Sequence, residues 1–229
     1  MRKKWLIILS ALVLAAAAVW GGSILYANAQ NEQAPEELAL STPSSPAATD
    51  PGTDAATSGA ALTGTWQTQG DSQAGYRVDE VLNGQNVTVV GRSSQINATV
   101  TVEGTKLTAA AVEVDMTSVK TDNDRRDNQF QGILKTAEFP TATFTLNQAV
   151  DIAAIGSGPL SVMAPGELTI AGVTKEVTAQ LTAQLNGANV EVQGTIPLAF
   201  ADFGIAAPNL GFVQVEDTGS IEMLLKLSR

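Results

Sequence analysis

Residues 177–198 read VTAQLTAQLNGANVEVQGTIPL, and this stretch decides the fold. Val177, Ala179, Leu181, Ala183 and Leu185 alternate with Thr178, Gln180, Thr182 and Gln184. A period of two marks a strand with one apolar and one polar face, because successive side chains of a pleated backbone point to opposite sides. Asn186-Gly187 then interrupts the run. That dipeptide suits a two-residue hairpin turn whose central residues both take positive φ. Beyond it the alternation resumes, with Val190, Val192, Ile196 and Leu198 set against Glu191, Gln193 and Thr195.

The pattern recurs on both sides. TKLTAAAVEVDM (105–116) places Val112, Val114 and Met116 opposite Glu113 and Asp115. SIEMLLKLS (220–228) places Ile221, Met223, Leu225 and Leu227 opposite Glu222 and Lys226, with Leu224 out of pattern. Glu103-Gly104-Thr105 and Ala171-Gly172 read as further tight turns. Many strands joined by short turns predict an antiparallel meander. A sheet with one apolar face must close or sandwich, and closure also removes exposed edges. Ala109, Ala111, Ala179 and Ala183 are read as small inward residues that leave space along a barrel axis. A barrel of about eight strands has room for one small ligand. The residues alone therefore predict an all-β antiparallel fold over residues 63–229, either closed into a barrel or packed as a sandwich.

One segment departs from strand patterning. In DRRDNQFQGILKTAEFPTATF (124–144), two arginines sit among acids. Thr121-Asp122-Asn123-Asp124 supplies helix-capping residues, and Phe130, Ile133 and Leu134 then fall on one helical face. Pro140 biases Phe139 toward an extended conformation, and a strand comes next. The reading is a short capped helix at the mouth of the sheet, carrying Arg125, Arg126 and Asp127.

Composition excludes several chemistries. The 229 residues contain no cysteine and no histidine. Disulfides, cysteine-based zinc sites and Ser–His or Cys–His catalysis are therefore impossible. The formal net charge of −10 repels phosphate backbones and argues against nucleic-acid binding. Asp122, Asp124 and Asp127 lack the acidic spacing, central glycine and terminal glutamate of a calcium loop. They also crowd one turn, whereas paired catalytic carboxylates flank a cleft. No catalytic residue, metal site or cofactor is expected. Arg125 and Arg126 admit two roles, an ion pair that fixes the corner or a contact to an anionic headgroup.

The N-terminal 29 residues read as an address or an anchor. Arg2, Lys3 and Lys4 precede an uncharged run from Trp5 to Ala27. That run is about long enough to cross a bilayer core, and the basic cluster before it orients the downstream chain outside the cytoplasm. Ala27-Asn28-Ala29 resembles a signal-peptidase site, so secretion after cleavage near Ala29 is the alternative to a retained single-pass anchor. Residues 30–62 are rich in Pro, Ser, Thr and Ala, carry five acids and have few large apolar side chains. They are expected to form a disordered stalk.

The segments SVKTDNDRRDNQF (118–130), EFPTATF (138–144) and GELTIAGVTKEVT (166–178) resemble, in order and spacing, the YceI-like, polyisoprenoid-binding family of secreted bacterial proteins. GYRVDEVL (75–82) and VGRSSQINATVTVEG (90–104) are together similar to its actinobacterial-type variant. The resemblance covers about residues 63–229. It implies a lipocalin-like extended antiparallel barrel that binds an isoprenoid lipid, such as a polyprenyl phosphate or an isoprenoid quinone, without a defined catalytic reaction. A long apolar chain needs a tunnel of aliphatic and aromatic side chains. Candidates for its lining are Val112, Val114, Met116, Phe130, Phe139, Phe144, Leu168, Ile170, Phe200 and Phe203, with Arg125 and Arg126 as headgroup candidates. Bilayer contact through residues 5–27 is expected. A protein-interaction module with a barrel filled by its own side chains is the second reading. The loop holding Phe200, Phe203 and Phe212 is read as a lid or a plug at one barrel end.

Overall fold

A computed structural model describes residue 22, residues 24–42 and residues 62–229. A helix, α1, covers residues 24–33. Among the described residues, eleven strands come after it: β1 (Gly64–Thr68), β2 (Gln73–Leu82), β3 (Gln85–Ser93), β4 (Ile96–Glu103), β5 (Lys106–Asp115), β6 (Thr141–Leu146), β7 (Val150–Asp151), β8 (Leu160–Ile170), β9 (Val173–Asn186), β10 (Asn189–Ala199) and β11 (Val213–Ser228). Helix α2 (Asp124–Ile133) lies between β5 and β6.

The sheet closes. Neighbours run β1-β4-β5-β6-β8-β9-β10-β11, and β11 returns to β1 through Gln67↔Ser228 and Thr68↔Leu227, which makes an eight-stranded barrel. All these pairings are antiparallel. Strand β11 is long enough to serve two partners. Its end pairs with β1, and its earlier part pairs with β2, with a bulge between Val215 and Gly219. The β2–β3 hairpin thus extends the wall at one end, and α2 lies against it.

Turn chemistry refines the expected hairpin. Asn186 pairs with Asn189, so the loop is Gly187-Ala188, and of these only Gly187 has positive φ, 63°. The two-positive-φ turn occurs instead at Asn83-Gly84, φ 50° and 79°, between Leu82 and Gln85. Ala171-Gly172 has the same signs, φ 50° and 77°.

Ala179 and Ala183 are buried inside the barrel, as expected. Ala109 and Ala111 are not inside. They are exposed, because the period of two that turns Val112 inward turns them outward. The Asn123 side chain caps α2 by accepting from the Arg125 amide at 2.9 Å.

The stretch expected as a free stalk is bound over its first dozen residues. Residues 34–42 run without helix or strand along the outer wall. Asn31 donates to the Asn86 carbonyl at 3.0 Å and accepts from the Thr88 amide at 2.9 Å. The Pro35 carbonyl accepts from Arg77 at 2.8 Å and the Glu36 carbonyl from Arg92 at 3.1 Å. Ser41 donates its amide and hydroxyl to Glu191, at 3.0 and 2.8 Å. Composition reports only the little apolar surface this segment can bury. It does not report the wall's charged side chains, which capture the segment's backbone groups. Residues 1–21, the bulk of the expected anchor, and 43–61 of the stalk lie outside the described residues. Among the described residues, no helix is long and apolar enough to cross a membrane.

Candidate functional site

The barrel interior is packed at one end and hollow at the other. At the base, Trp66, Val102, Leu107, Val150, Ile152, Ile155, Leu225 and Leu227 are buried together. The Trp66 indole N–H donates to the Leu62 carbonyl at 2.9 Å, and the Arg229 guanidinium lies 4.7 Å from the indole centroid. Toward the other end a cavity of about 470 Å³ opens. Its walls come from the mouth-side halves of β5, β6, β8, β10 and β11, from the inward face of β2, and from α2.

Eight of the ten expected lining residues face this cavity: Val112, Val114, Met116, Phe130, Phe144, Leu168, Ile170 and Phe200. Phe139 and Phe203 do not line it. Phe139 packs on the β8–β9 turn, where a side chain on Gly172 would come within 2.5 Å of its ring. Phe203 ends a short 3₁₀ helix, Phe200–Phe203, and is buried in the core. The loop thus splits its aromatics: Phe203 packs inward, Phe200 lines the cavity, and Phe212 lies exposed at its edge.

Sequence reading missed the contribution of β2. Ala74, Tyr76, Val78, Glu80 and Leu82 all face the cavity. The alternation is there in residues 74–82, but Glu80 on the inner side and Val81 on the outer side disguise it. Tyr76 stacks on Phe130, with centroids 4.9 Å apart and planes 11° apart. Gly91, opposite Tyr76 on β3, makes room for the ring, since a Cβ there would strike it. Burial pushes the Tyr76 phenol well above its usual range; Arg126 pulls it down, while Asp127 and Glu80 raise it further. The phenol stays protonated at neutral pH, and its hydroxyl has no hydrogen-bond partner among the described residues.

The two arginines differ. Arg126 is engaged twice, with Asp122 at 2.5 Å and with buried Glu80 at 3.4 Å. It neutralises a carboxylate that would otherwise stand alone in an apolar wall. Arg125 is exposed at the cavity rim and forms no ion pair among the described residues. Asp127 is structural. Burial alone raises its pKa, but the Thr121 amide and hydroxyl, each at 2.8 Å, together with Lys120 at 3.3 Å, outweigh that and hold it below the usual carboxylate range. Among the described residues, no three His, Cys, Asp or Glu side chains are grouped to hold a metal ion.

A closed antiparallel barrel with an apolar chamber open at one end defines a lipocalin-like binding fold. The YceI-like domain model matches residues 66–227, and the chain belongs to that family. Two solved structures share the fold. One is a polyisoprenoid binding domain from Saccharophagus degradans implicated in plant cell wall breakdown, with 20% identity, a TM-score of 0.55, and coverage of 71% of this chain and 97% of that one. The other is Burkholderia cenocepacia BcnA, with 21% identity, a TM-score of 0.54, and coverage of 67% and 96%. No curated protein sequence matches the chain.

Proposed function

We propose that the barrel holds the isoprenoid chain of a lipid in its mouth-end cavity, without turning it over. The observation that carries this reading is the cavity itself. Its volume of about 470 Å³ falls within the roughly 300–1,000 Å³ of small-molecule sites, and its lining is dominated by aliphatic and aromatic side chains. The polyisoprenoid-binding relative supports the ligand class. A protein-interaction module with a filled barrel fits less well, because only the base is filled.

The headgroup sits at the rim, near Arg125 and the Tyr76 hydroxyl. Arg126 is already neutralised by Asp122 and Glu80, so the inner rim offers little net positive charge. A neutral oxygen headgroup such as a quinone therefore fits better than a polyprenyl diphosphate, which would need more than one free cation. The domain acts outside the cytoplasm, tethered through the uncharged run 5–27, in carriage, sequestration or protection of its lipid.

The test is native mass spectrometry of the full chain purified in mild detergent, with organic extraction of bound lipid. A stoichiometric isoprenoid is expected. A bare protein mass that persists after incubation with quinones and prenyl phosphates would shift the reading to the interaction module.

A further inference from the structure

Among the described residues, five large apolar side chains are more than half exposed: Leu25, Tyr26, Met163, Leu210 and Phe212. Four of them gather at the open end of the barrel. Tyr26, Leu210 and Phe212 border the cavity, and Leu25 adjoins Tyr26 on α1. Their exposures are 72% for Leu25, 51% for Tyr26, 57% for Leu210 and 60% for Phe212. Only Met163 stands elsewhere, on the outer face of β8. The loop that carries Leu210 and Phe212 is held in place, with the Phe212 carbonyl accepting from the Asn83 amide at 2.8 Å and the Leu210 amide donating to the Val213 carbonyl at 2.8 Å. Large apolar residues fixed in water around a cavity opening mark a binding face.

The chain itself indicates the occupant. Leu25 and Tyr26 are among the last residues of the uncharged run from Trp5 to Ala27. From there the chain descends the outer wall, through Asn31 on β3 and Pro35 on Arg77, to Ser41 on Glu191 of β10. The apolar run is therefore joined to the barrel at its open end, not at its base. A tyrosine at the end of such a run suits the bilayer interface, where its ring and hydroxyl meet lipid and water together.

We infer that the open rim of the barrel docks on the bilayer surface, with Leu25, Tyr26, Leu210 and Phe212 in the interface, so that lipid passes between membrane and cavity without crossing water. This docking rests on the proposed lipid-binding reading for its purpose, but its geometry can be tested separately.

The absence of native cysteine makes single-site labelling clean. The full-length chain carrying F212C or M163C is labelled with an environment-sensitive fluorophore and reconstituted into vesicles of phosphatidylcholine and phosphatidylglycerol, with and without spin-labelled quencher lipids. The F212C probe is expected to blue-shift and to be quenched severalfold by the lipids, while the M163C probe stays aqueous. An aqueous F212C probe, or equal quenching at both sites, overturns the docking. So does an intact mass showing a chain that begins at Gln30, because the rim would then lack Leu25 and Tyr26. The same preparation is extracted for bound isoprenoid. A quenched F212C probe without isoprenoid supports docking while removing the lipid-carrier reading, and bound isoprenoid with an aqueous F212C probe does the reverse. A second variant, L210D/F212D, is expected to slow quinone uptake from donor vesicles about tenfold while retaining the thermal transition of the parent. Unchanged uptake would also overturn the inference.

Discussion

The two ends of this barrel are built from the same strands and the same kinds of residue, yet one is solid and the other hollow. On β11, Leu225 and Leu227 enter the packed base, while Ile221 and Met223 line the cavity. On β5, Leu107 belongs to the base and Val112 and Val114 to the cavity. What differs is what stands across from them. The base receives Trp66 and a cap formed by β7 and a 3₁₀ helix, Ala153–Ser157. The open end receives a helix and a loop, whose Phe130, Phe200 and Phe212 border the space without filling it. Close packing is concentrated at one end, and the other end stays open.

The strongest way to break the contrast is Trp66→Ala. Removing a buried indole from a close-packed end is expected to cost about 3–5 kcal/mol, read from urea unfolding. Bound lipid per folded molecule should not change. A loss much below this range would mean that the base is not the packed end described here.

Glu191 sharpens the contrast at the wall that carries residues 34–42. Burial by itself raises its pKa, but hydrogen bonds from Asn186, Ser41 and Gln184 outweigh burial and hold it below the usual carboxylate range. A depressed folded-state pKa stabilises above the unfolded value, and that stabilisation is lost as pH falls through the folded value. Glu191→Gln is therefore expected to destabilise by about 1–2 kcal/mol at pH 7. The gap from the parent should close in acid, below the usual glutamate range. A gap independent of pH would remove the ionised carboxylate from the account.

At the open end, Val114→Trp should fill space without displacing packed neighbours. Bound isoprenoid is expected to fall about tenfold, equivalent to roughly 1.4 kcal/mol, with stability changed by less than the roughly 1–3 kcal/mol typical of overpacking a filled core. Lipid extraction and urea unfolding on the same sample decide it. The smallest effect belongs to Arg125→Ala. An exposed residue without an ion pair among the described residues should alter stability by under about 0.5 kcal/mol. Headgroup retention should weaken a few-fold, measured by competition between a quinone and its isoprenoid tail alone.

The hollow end is harder to read from sequence than the fold. Alternation in residues 177–198 and 220–228 reveals the strands and their apolar faces because period two reports the inward face directly, while closure into a barrel rather than a sandwich is implied only by the family resemblance. It does not reveal how far the opposite wall lies, and so Phe200 and Phe203, three residues apart, read alike in sequence and part in the structure. Phe139 misleads for a related reason: its contact is with Gly172, made by a turn remote in sequence. Tyr76 is hidden because Glu80 interrupts the apolar face of β2, and only the ion pair with Arg126 explains a glutamate on that side. The capped helix is legible because its signals are local, with Asn123 bonding two residues ahead. The bound course of residues 34–42 depends on Arg77, Arg92 and Glu191, which are distant in sequence and carry no local mark of that role.

The central claim, that a lipid chain enters the open end and stops short of the base, is tested most directly by a photoreactive isoprenoid quinone bound to the full chain, cross-linked and mapped by peptide mass spectrometry. Labels are expected on peptides containing Val112, Val114, Leu168 and Phe200. The peptide containing Trp66 should stay unlabelled. Labelling confined to the outer wall, or equal labelling of the Trp66 peptide, would contradict the account.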